Sequence, residues 1–503
     1  MGFGENVAKV KRGTVDRISE LPEFILHNIL SMLDTKEAGR ASVLSKRWYD
    51  VWSSIPVLDF HFQYFDTDKK QSFLGFIDRT MQRYFTQKYR IMKLNLELRM
   101  VNEKIELLVD KWLKIAVQNQ VEKLEFQVHD QHSPVYRLPE ILFRAKSLKV
   151  LTCGNVVMPY YETMELISLE YLHLIVKNVD MDMFQRIITF CPLVELDITI
   201  EELGKISLPW TRKMSEGTEF VDSGIMQSNF KASPLRKFAY HGLFRCITWP
   251  CNMNVVALKN LRKLEIVCAT ITDDIVFELV HGLVALERLV LATCTGLKCI
   301  EVSSISLKDL AIVECEDLTE VTVDAPNLLE FLYNCELETP LSLSRVQDHC
   351  NAQFFPLFVL DSITTVWLVK LKKFLVETSA FKSLLIELSN SLQIEIEEEQ
   401  LKNVVTGPSY KLRELKLRET SAWDSTESSL TAFLDGLFWC CHPDILSITS
   451  SHNLTAKSIF NILKKKVQCY KHPLRSIEIE GVDTSNFLEE PSELEFRFRL
   501  SWF

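Results

Sequence analysis

Surplus positive charge is missing from this chain. Its 67 acidic residues outnumber 57 basic ones and leave a formal charge of -10, the wrong sign for a protein that must neutralise nucleic-acid phosphates. Glycine and proline are scarce, 15 and 16 of 503 residues, which excludes collagen-like and linker-dominated designs. No apolar run reaches the ~20 residues needed to cross a bilayer. The nearest, Phe354 to Val369, is broken by Pro356, Asp361, Ser362, Thr364 and Thr365. Met1 to Arg12 lacks the apolar centre of a secretory signal, and Lys9, Lys11 and Arg12 within it read as a solvated arm. The 13 cysteines are odd in number and scattered, so they are expected as free thiols in a reducing compartment, nucleus or cytoplasm. Phosphate-binding and nucleophile-elbow motifs of the G-x-x-x-x-G-K-[ST], G-x-G-x-x-G and G-x-S-x-G types are absent. Neither an enzyme nor a cofactor is expected, nor a nucleic-acid or membrane partner.

What is present is folded-protein composition, 47% hydrophobic and 25% charged. The chain is too long for one core, so several domains or a repeat array are expected. The first sixty residues predict three short helices. Ser19 is a candidate N-cap, and Pro22 stands near the first helical position. Ile25, Ile29 and Leu33 follow at spacings of four, with Leu26 and Leu30 beside them. Thr35 can cap a second helix carrying Ala38, Ala41, Val43 and Leu44, and Ser45 a third carrying Trp48, Val51 and Trp52. His27 and Asn28 are expected on a solvated or polar rim. Three such helices cannot bury this much apolar surface among themselves. The surplus must meet either a second protein or the rest of the chain.

Several fixed points in one order, Asp16-Arg17-Ile18-Ser19-Glu20-Leu21-Pro22, Ile25-Leu26, Ile29-Leu30-Ser31, Leu44-Ser45-Lys46-Arg47-Trp48, Trp52 and Leu58-Asp59-Phe60, resemble the plant F-box signature. The resemblance covers about a tenth of the chain. It implies a three-helix fold and a Skp-type adaptor as partner, through which a cullin scaffold is reached. By the same resemblance Leu21, Pro22, Ile25, Leu26, Ile29, Leu30, Val43, Leu44 and Trp48 divide between that interface and the packing beneath it.

The remaining chain repeats itself. Leu286-Glu-Arg-Leu289-Val-Leu291-Ala-Thr-Cys294 and Leu307-Lys-Asp-Leu310-Ala-Ile312-Val-Glu-Cys315 fit the pattern L-x-x-L-x-L-x-x-C. Shorter versions occur around Leu94, Leu124, Leu151, Leu172, Leu196, Phe238, Leu264, Phe331, Leu415 and Ile477-Ile479. Alternation in L-x-L sends both leucines inward from a short strand, and one repeat cannot cover such a face without its neighbours. Helical stretches, Asp273 to Leu283 and Met181 to Phe190, are expected to return the chain on the convex side. The fold class is therefore α/β: a three-helix F-box over 14–60, then a leucine-rich-repeat solenoid, a curved parallel sheet with convex helices. The regular repeats span 61–345, with an exposed insertion at about 201–232. Irregular repeats follow over 346–483, with an acidic turn at Glu395 to Glu399, then a tail over 484–503 in which Leu494, Phe496, Phe498 and Leu500 can form an edge strand. Asp324-Ala325-Pro326-Asn327-Leu328 is similar to relatives of this kind, and His472-Pro473-Leu474 to Gly481 is similar to the opening of an FBD domain.

Cys294, Cys315 and Cys335, about one repeat apart, are expected as core residues closing each repeat rather than metal ligands. Cys440-Cys441-His442 is not expected to act as a thiol–imidazole pair, since adjacent side chains seldom face each other. The strands show no basic cluster fit for a phosphate-rich ligand. Target selectivity is expected in the outward residues between the leucines: Glu265, Arg288, Val290, Lys308, Asp309, Ala311 and Glu330. Two functions remain open: a substrate-recognition adaptor of a ubiquitin ligase with an unknown target protein, or a ligand receptor or scaffold whose first helices merely cap the repeats.

Overall fold

The computed structural model describes residues 18, 20–33, 35–62, 70–129, 135–179, 186–188, 190–200, 234–242, 247–248, 258–315, 317–356, 362–388, 393–396, 408–419, 427–450, 453–469, 473–483 and 494–502. Ser19, the expected insertion, most of the helix expected from Met181 and the acidic turn beyond 396 lie outside them. The chain forms two compact units, Met1–Ile206 and Ser207–Phe503.

The first unit opens with helices α1 (Glu23–Ser31), α2 (Thr35–Ala41) and α3 (Lys46–Ser53), with a 3-10 turn at Ser42–Leu44. Pro22 takes the N-cap position of α1, one residue before the helix, at φ -56, which its ring fixes. Thr35 is the first residue of α2 rather than its cap. Ser45 caps α3, its hydroxyl accepting the Trp48 N–H at 3.2 Å. Leu26, Leu30, Ala38, Trp48, Val51 and Ile55 form the core of this bundle. His27 is half-buried on a polar rim, its Nε2 3.2 Å from both the Val51 carbonyl and the Ser54 hydroxyl, and Asn28 is exposed. The last carbonyls of a helix lack intrahelical donors, and the ring serves that end of α3.

From Val57 onward the L-x-L segments become strands. In the first unit these are β1 (Val57–His61), β2 (Lys93–Leu98), β3 (Lys123–Val128), β4 (Tyr136–Arg137), β5 (Val150–Met158), β6 (Tyr171–Val179) and β7 (Glu195–Ile200). β1, β2, β3, β5, β6 and β7 pair in parallel, in that order. Leu58-Asp59-Phe60 is thus the first rung of the repeat sheet. Helices α4 (Lys70–Gln87) and α5 (Glu103–Gln118) return the chain between β1 and β2 and between β2 and β3. Trp112, Tyr84, Phe126 and Tyr136 are fully buried against the inner face. The bundle packs on this layer, with the Arg83 guanidinium 4.3 Å from the centre of the Trp52 ring and the Tyr84 hydroxyl donating to the Ile55 carbonyl.

The second unit continues with β8 (Lys237–Gly242), β9 (Ile247–Thr248), β10 (Lys263–Val267), β11 (Ala269–Thr270), α6 (Asp273–Gly282), β12 (Arg288–Ala292), β13 (Cys299–Ser303), β14 (Asp309–Val313), β15 (Glu320–Asp324), β16 (Glu330–Asn334), β17 (Leu341–Ser344) and β18 (Asn351–Phe354). After these come β19 (Ser362–Thr364), α7 (Thr365–Thr378), β20 (Ser383–Leu388), β21 (Gln393–Glu395), β22 (Tyr410–Glu419), α8 (Glu427–Cys440), β23 (Cys441–Ser450), α9 (Asn453–Gln468), β24 (Leu474–Asp483) and β25 (Leu494–Trp502). The even-numbered strands from β8 to β22, followed by β23, form one parallel ladder.

Helices return the chain after β10, β18, β22 and β23. Between β12 and β17, however, the return legs are strands: β13, β15 and β17 form their own parallel sheet. The convex helices expected of the array are replaced by strands in this stretch for a metric reason. Leu286, Leu307 and Leu328 recur every 21 residues, whereas Leu261 to Leu286 spans 25. A leg matching a five-residue strand must cover roughly 17 Å, about five extended residues but about eleven helical ones. The shorter repeats have no room for the helix. Asp273, in the first turn of α6, accepts from the Lys298 and Cys299 N–H groups at 2.8 and 3.1 Å and so closes the free edge of this second sheet.

Each dense repeat ends alike. Cys268, Thr293 and Glu314 have φ of 52, 47 and 48, and each N–H donates to the strand ahead, at Ala292, Val313 and Asn334. This left-handed turn costs roughly 1–2 kcal/mol for a residue with a Cβ, and it sends the next residue, Ala269, Cys294 or Cys315, inward. The Cys294 thiol lies 3.5 Å from the Ile266 carbonyl, and that of Cys315 lies 3.6 Å from Leu291. They are core residues closing the repeats, as expected.

The C-terminal segment is not an edge strand. β25 lies between β23 and β24, antiparallel to both. Phe498 and Leu500 are buried, and the Trp502 indole donates to the Pro443 carbonyl at 2.8 Å. The alternation read into Ile477-Ile479 also fails, because a bulge beside Ile479 shifts the register of β24 and leaves Ile479 61% exposed.

Two outcomes test this packing. Phe498→Ala should lose about 3–5 kcal/mol and lower the urea midpoint measured by near-ultraviolet circular dichroism, because the ring is buried and stacks on Phe460 of α9, 5.7 Å away. The Glu122 carboxyl is held below its ordinary 4.5, chiefly by the hydrogen bond from Lys149, with Arg90 assisting. A depressed carboxyl contributes stability above its unfolded value and loses it as pH falls through the folded one. Glu122→Gln should therefore be less stable than the native chain near neutrality, and the gap should close below about pH 4.5.

Candidate functional site

The three-helix bundle sorts the nine residues singled out by resemblance. Leu26, Leu30 and Trp48 are at most 6% exposed and belong to the bundle's own core, on the packing side of the expected division. Leu21 and Ile29 pack half-buried against that core, and Ile25 is also half-buried. The Leu21 carbonyl is held by the Arg47 guanidinium at 2.5 Å. Pro22 is exposed, and Val43 and Leu44 are 85% and 73% exposed. Sequence reasoning missed Phe24 at 63% and Met32 at 85% exposure. Their signal was legible: α1 carries apolar residues on more than one stripe, more than a single buried face requires. Val43 and Leu44 stand out because the tight 3-10 turn carries them away from the core, while Ser42 folds back to donate to the Gly39 carbonyl at 2.6 Å.

The outward residues of the repeat strands form the second candidate surface. In-register pairing aligns Lys263, Arg288, Asp309, Glu330 and Asn351 in one row, and Glu265, Val290, Ala311, Leu332 and Gln353 in the next. All five charged residues singled out from the sequence are brought onto this face or its leading margin. Arg288 bridges Glu265, at 3.3 Å, and Asp309. Lys308 pairs with Glu287 at 3.1 Å, and Glu330 accepts from Asn351 at 2.9 Å. The Lys308 ammonium holds the Glu287 carboxyl below its ordinary range.

The corresponding face of the first unit carries a polar cluster that the sequence did not disclose. His61 lies 2.9 Å from Asp59 and 2.8 Å from Glu97 through its two ring nitrogens, and Asn95 donates to Asp59 at 2.7 Å. These are the x residues of two L-x-L segments 36 positions apart, which only the register brings together.

Cys440 and Cys441 are fully buried, and their thiols approach the Leu368 and Leu437 carbonyls at 3.2 and 3.4 Å. Burial pushes Cys441 up to about 12, far from the thiolate a nucleophile needs. The His442 ring stacks on Trp502 at 4.2 Å, so the three residues serve packing. Among the described residues no group of His, Cys, Asp and Glu could hold a metal ion, and no helix is long and apolar enough to cross a membrane.

Comparison with known proteins finds matches for both the bundle and the repeats. The family described as F-box domain matches residues 18–60. The family described as At1g61320/AtMIF1, LRR domain matches residues 196–481, more than half of the chain. An F-box/LRR-repeat protein of Arabidopsis thaliana is 33% identical over 196 residues, 39% of this chain and 40% of its own. Two F-box/FBD/LRR-repeat proteins of the same plant are 29% and 32% identical over 218 and 190 residues, 43% and 37% of this chain and 44% and 43% of theirs. The chain thus matches less than half the length of each of these relatives. No enzymatic domain is among the matches. An F-box bundle preceding strands that stack as leucine-rich repeats is what both family matches describe, and the chain belongs to the plant F-box/leucine-rich-repeat family, its repeats being of the At1g61320/AtMIF1 LRR type.

Proposed function

We propose that the chain is a non-catalytic substrate-recognition adaptor of a Skp–cullin–F-box ubiquitin ligase, acting in the nucleus or cytoplasm. The observation that carries this reading is the exposed apolar set of Pro22, Phe24, Met32, Val43 and Leu44 on a bundle whose own core is already filled. Large apolar side chains left in water on so small a bundle mark a surface meant for covering. The F-box match makes a Skp-type adaptor the expected cover, and through it a cullin scaffold. The outward strand residues, Glu265, Arg288, Lys308, Asp309 and Glu330 among them, would then hold a target protein. Ubiquitin transfer follows from raised effective concentration of a target lysine near the charged conjugating enzyme. The chain itself supplies position and no nucleophile.

The test separates surface from core. Val43→Asp with Leu44→Asp should abolish co-purification with a Skp-type adaptor, a loss of ten-fold or more in affinity, while the unfolding free energy from urea titration stays within about 0.5 kcal/mol of native. Leu26→Ala should instead destabilise the bundle by about 2–5 kcal/mol. Undiminished adaptor capture by the double aspartate variant would leave the helices as a cap for the repeats and nothing more.

A further inference from the structure

Charges on the repeat face largely find partners across the ladder. At the leading end of the strands opposite signs meet between several neighbouring repeats, and where like charges face each other, as Lys93 and Lys123 do, they share a carboxylate, Glu125. Glu122 pairs with Lys149 at 2.8 Å, and Glu287 takes both Arg262, at 2.5 Å, and Lys308. In the next row Arg288 pairs with Asp309. Opposite charges facing each other across a ladder contribute a few tenths of a kcal/mol or more, and like charges cost as much.

Between β8 and β10 most of the cations lack such a partner among the described residues. The sequence there repeats itself as Leu235-Arg236-Lys237-Phe238 and Leu261-Arg262-Lys263-Leu264. Parallel pairing sets Lys237 directly against Lys263, and the Arg262 and Lys263 N–H groups both donate to the Arg236 carbonyl, so the two arginines also stand side by side. Adjacent strands are about 4.8 Å apart. Lys259, exposed, belongs to the turn leading into the same strand. Arg262 has Glu287 as partner, but Arg236, Lys237, Lys259 and Lys263 take no carboxylate among the described residues. Two Arg-Lys pairs 26 residues apart become one patch only through the register.

Folding alone disfavours this arrangement, and an anionic partner would reverse the sign of its cost. We propose that Arg236, Lys237, Lys259 and Lys263 form the docking site for an acidic, carboxylate-rich segment of a captured protein. This rests on the reading that the repeats hold a target. An extended segment fits the patch better than an isolated ion. The cations are spread over two strands and two rows on an open face, where a single small anion would be screened by water, whereas several carboxylates on one chain can pair in concert. The rows also continue into contacts a protein can use. Beyond the cations lie Val290, half-buried, and Leu332, 37% exposed, and the charge turns negative at Asp309 and Glu330. A segment with acidic residues at one end and an apolar residue after them would meet complementary groups in that order.

The test uses the full chain co-purified with a Skp-type adaptor, and fluorescein-labelled hexaglutamate as probe, read by anisotropy. The native complex should bind the peptide, with affinity falling as salt is raised. Lys237→Glu with Lys263→Glu should weaken binding at least ten-fold. Lys373→Glu with Lys464→Glu, the same charge change on exposed helical positions, should weaken it less than two-fold. No binding by the native complex, or equal loss in both variants, overturns the proposal. Equal affinity for inorganic tripolyphosphate also overturns it, in favour of a small polyanion. Lys237→Glu alone should raise the urea midpoint, since it replaces a repulsion with a pair; a fall would make the lysines structural and overturn the assignment too. A chain that never takes the Skp-type adaptor fails the ligase reading by itself, whatever the peptide does.

Discussion

From β8 to β18 each strand of the ladder lies on the next without a residue's slip: Leu264 faces Leu289, then Leu310, then Phe331, while Ile266 faces Leu291, Ile312 and Tyr333. This register is the constraint from which the rest follows. A shift of one residue would turn every buried leucine to solvent, so the apolar pattern fixes it at each step. Once it is fixed, the outward residues have no freedom of placement. They stack in rows whose chemistry is dictated by whatever happens to lie between the leucines. Residues 21 or 26 positions apart become direct neighbours, and a local property of the sequence becomes a property of a surface.

The same constraint governs the back of the array. A parallel ladder requires each repeat to return to its start, and the return leg must match the strand in length, not in residue count. Where residues are available a helix serves, as with α6 and α7; where the repeat is 21 residues long an extended leg is the only one that reaches. The array must also end. A parallel ladder offers its last strand's N–H and C=O groups to any passing edge. Here β25 turns back and lies antiparallel on β23, so the ladder's final rung is met by the chain's own terminus, with Trp502 anchored to Pro443.

Much of this was legible because apolar spacing is a strong signal: the strands, the helix at Asp273, the Ser45 cap and the repeat-closing cysteines all fall where leucine periodicity and capping chemistry place them. What was not legible has one physical root. Inward residues are read along the chain, whereas outward ones acquire meaning across it. The Asp59–His61–Glu97 cluster and the stacked Arg-Lys pairs involve no local motif, so no scan along the sequence could join them. The partners of His27, Val51 and Ser54, were hidden for a related reason: they sit at the far end of another helix. The division of the bundle residues between core and surface also waited on geometry, since Leu26 and Phe24 differ by two positions and by 63% in exposure.

The bundle faces opposing demands that its size makes visible. Burying Leu26, Leu30, Trp48 and their neighbours contributes roughly 1.5–3 kcal/mol each, which a small bundle needs against its conformational entropy. Covering Phe24, Met32, Val43 and Leu44 by a partner would release a comparable total, on the order of 6–12 kcal/mol as an upper bound. Association itself costs about 4–15 kcal/mol, so these four side chains alone would leave a marginal complex. The half-buried Leu21 and Ile25, with Pro22 beside them, must therefore add to the interface. They can do so only if the core beneath holds them at a fixed height. Core and surface residues of this bundle are thus coupled: the side chains that never touch a partner decide whether the others can.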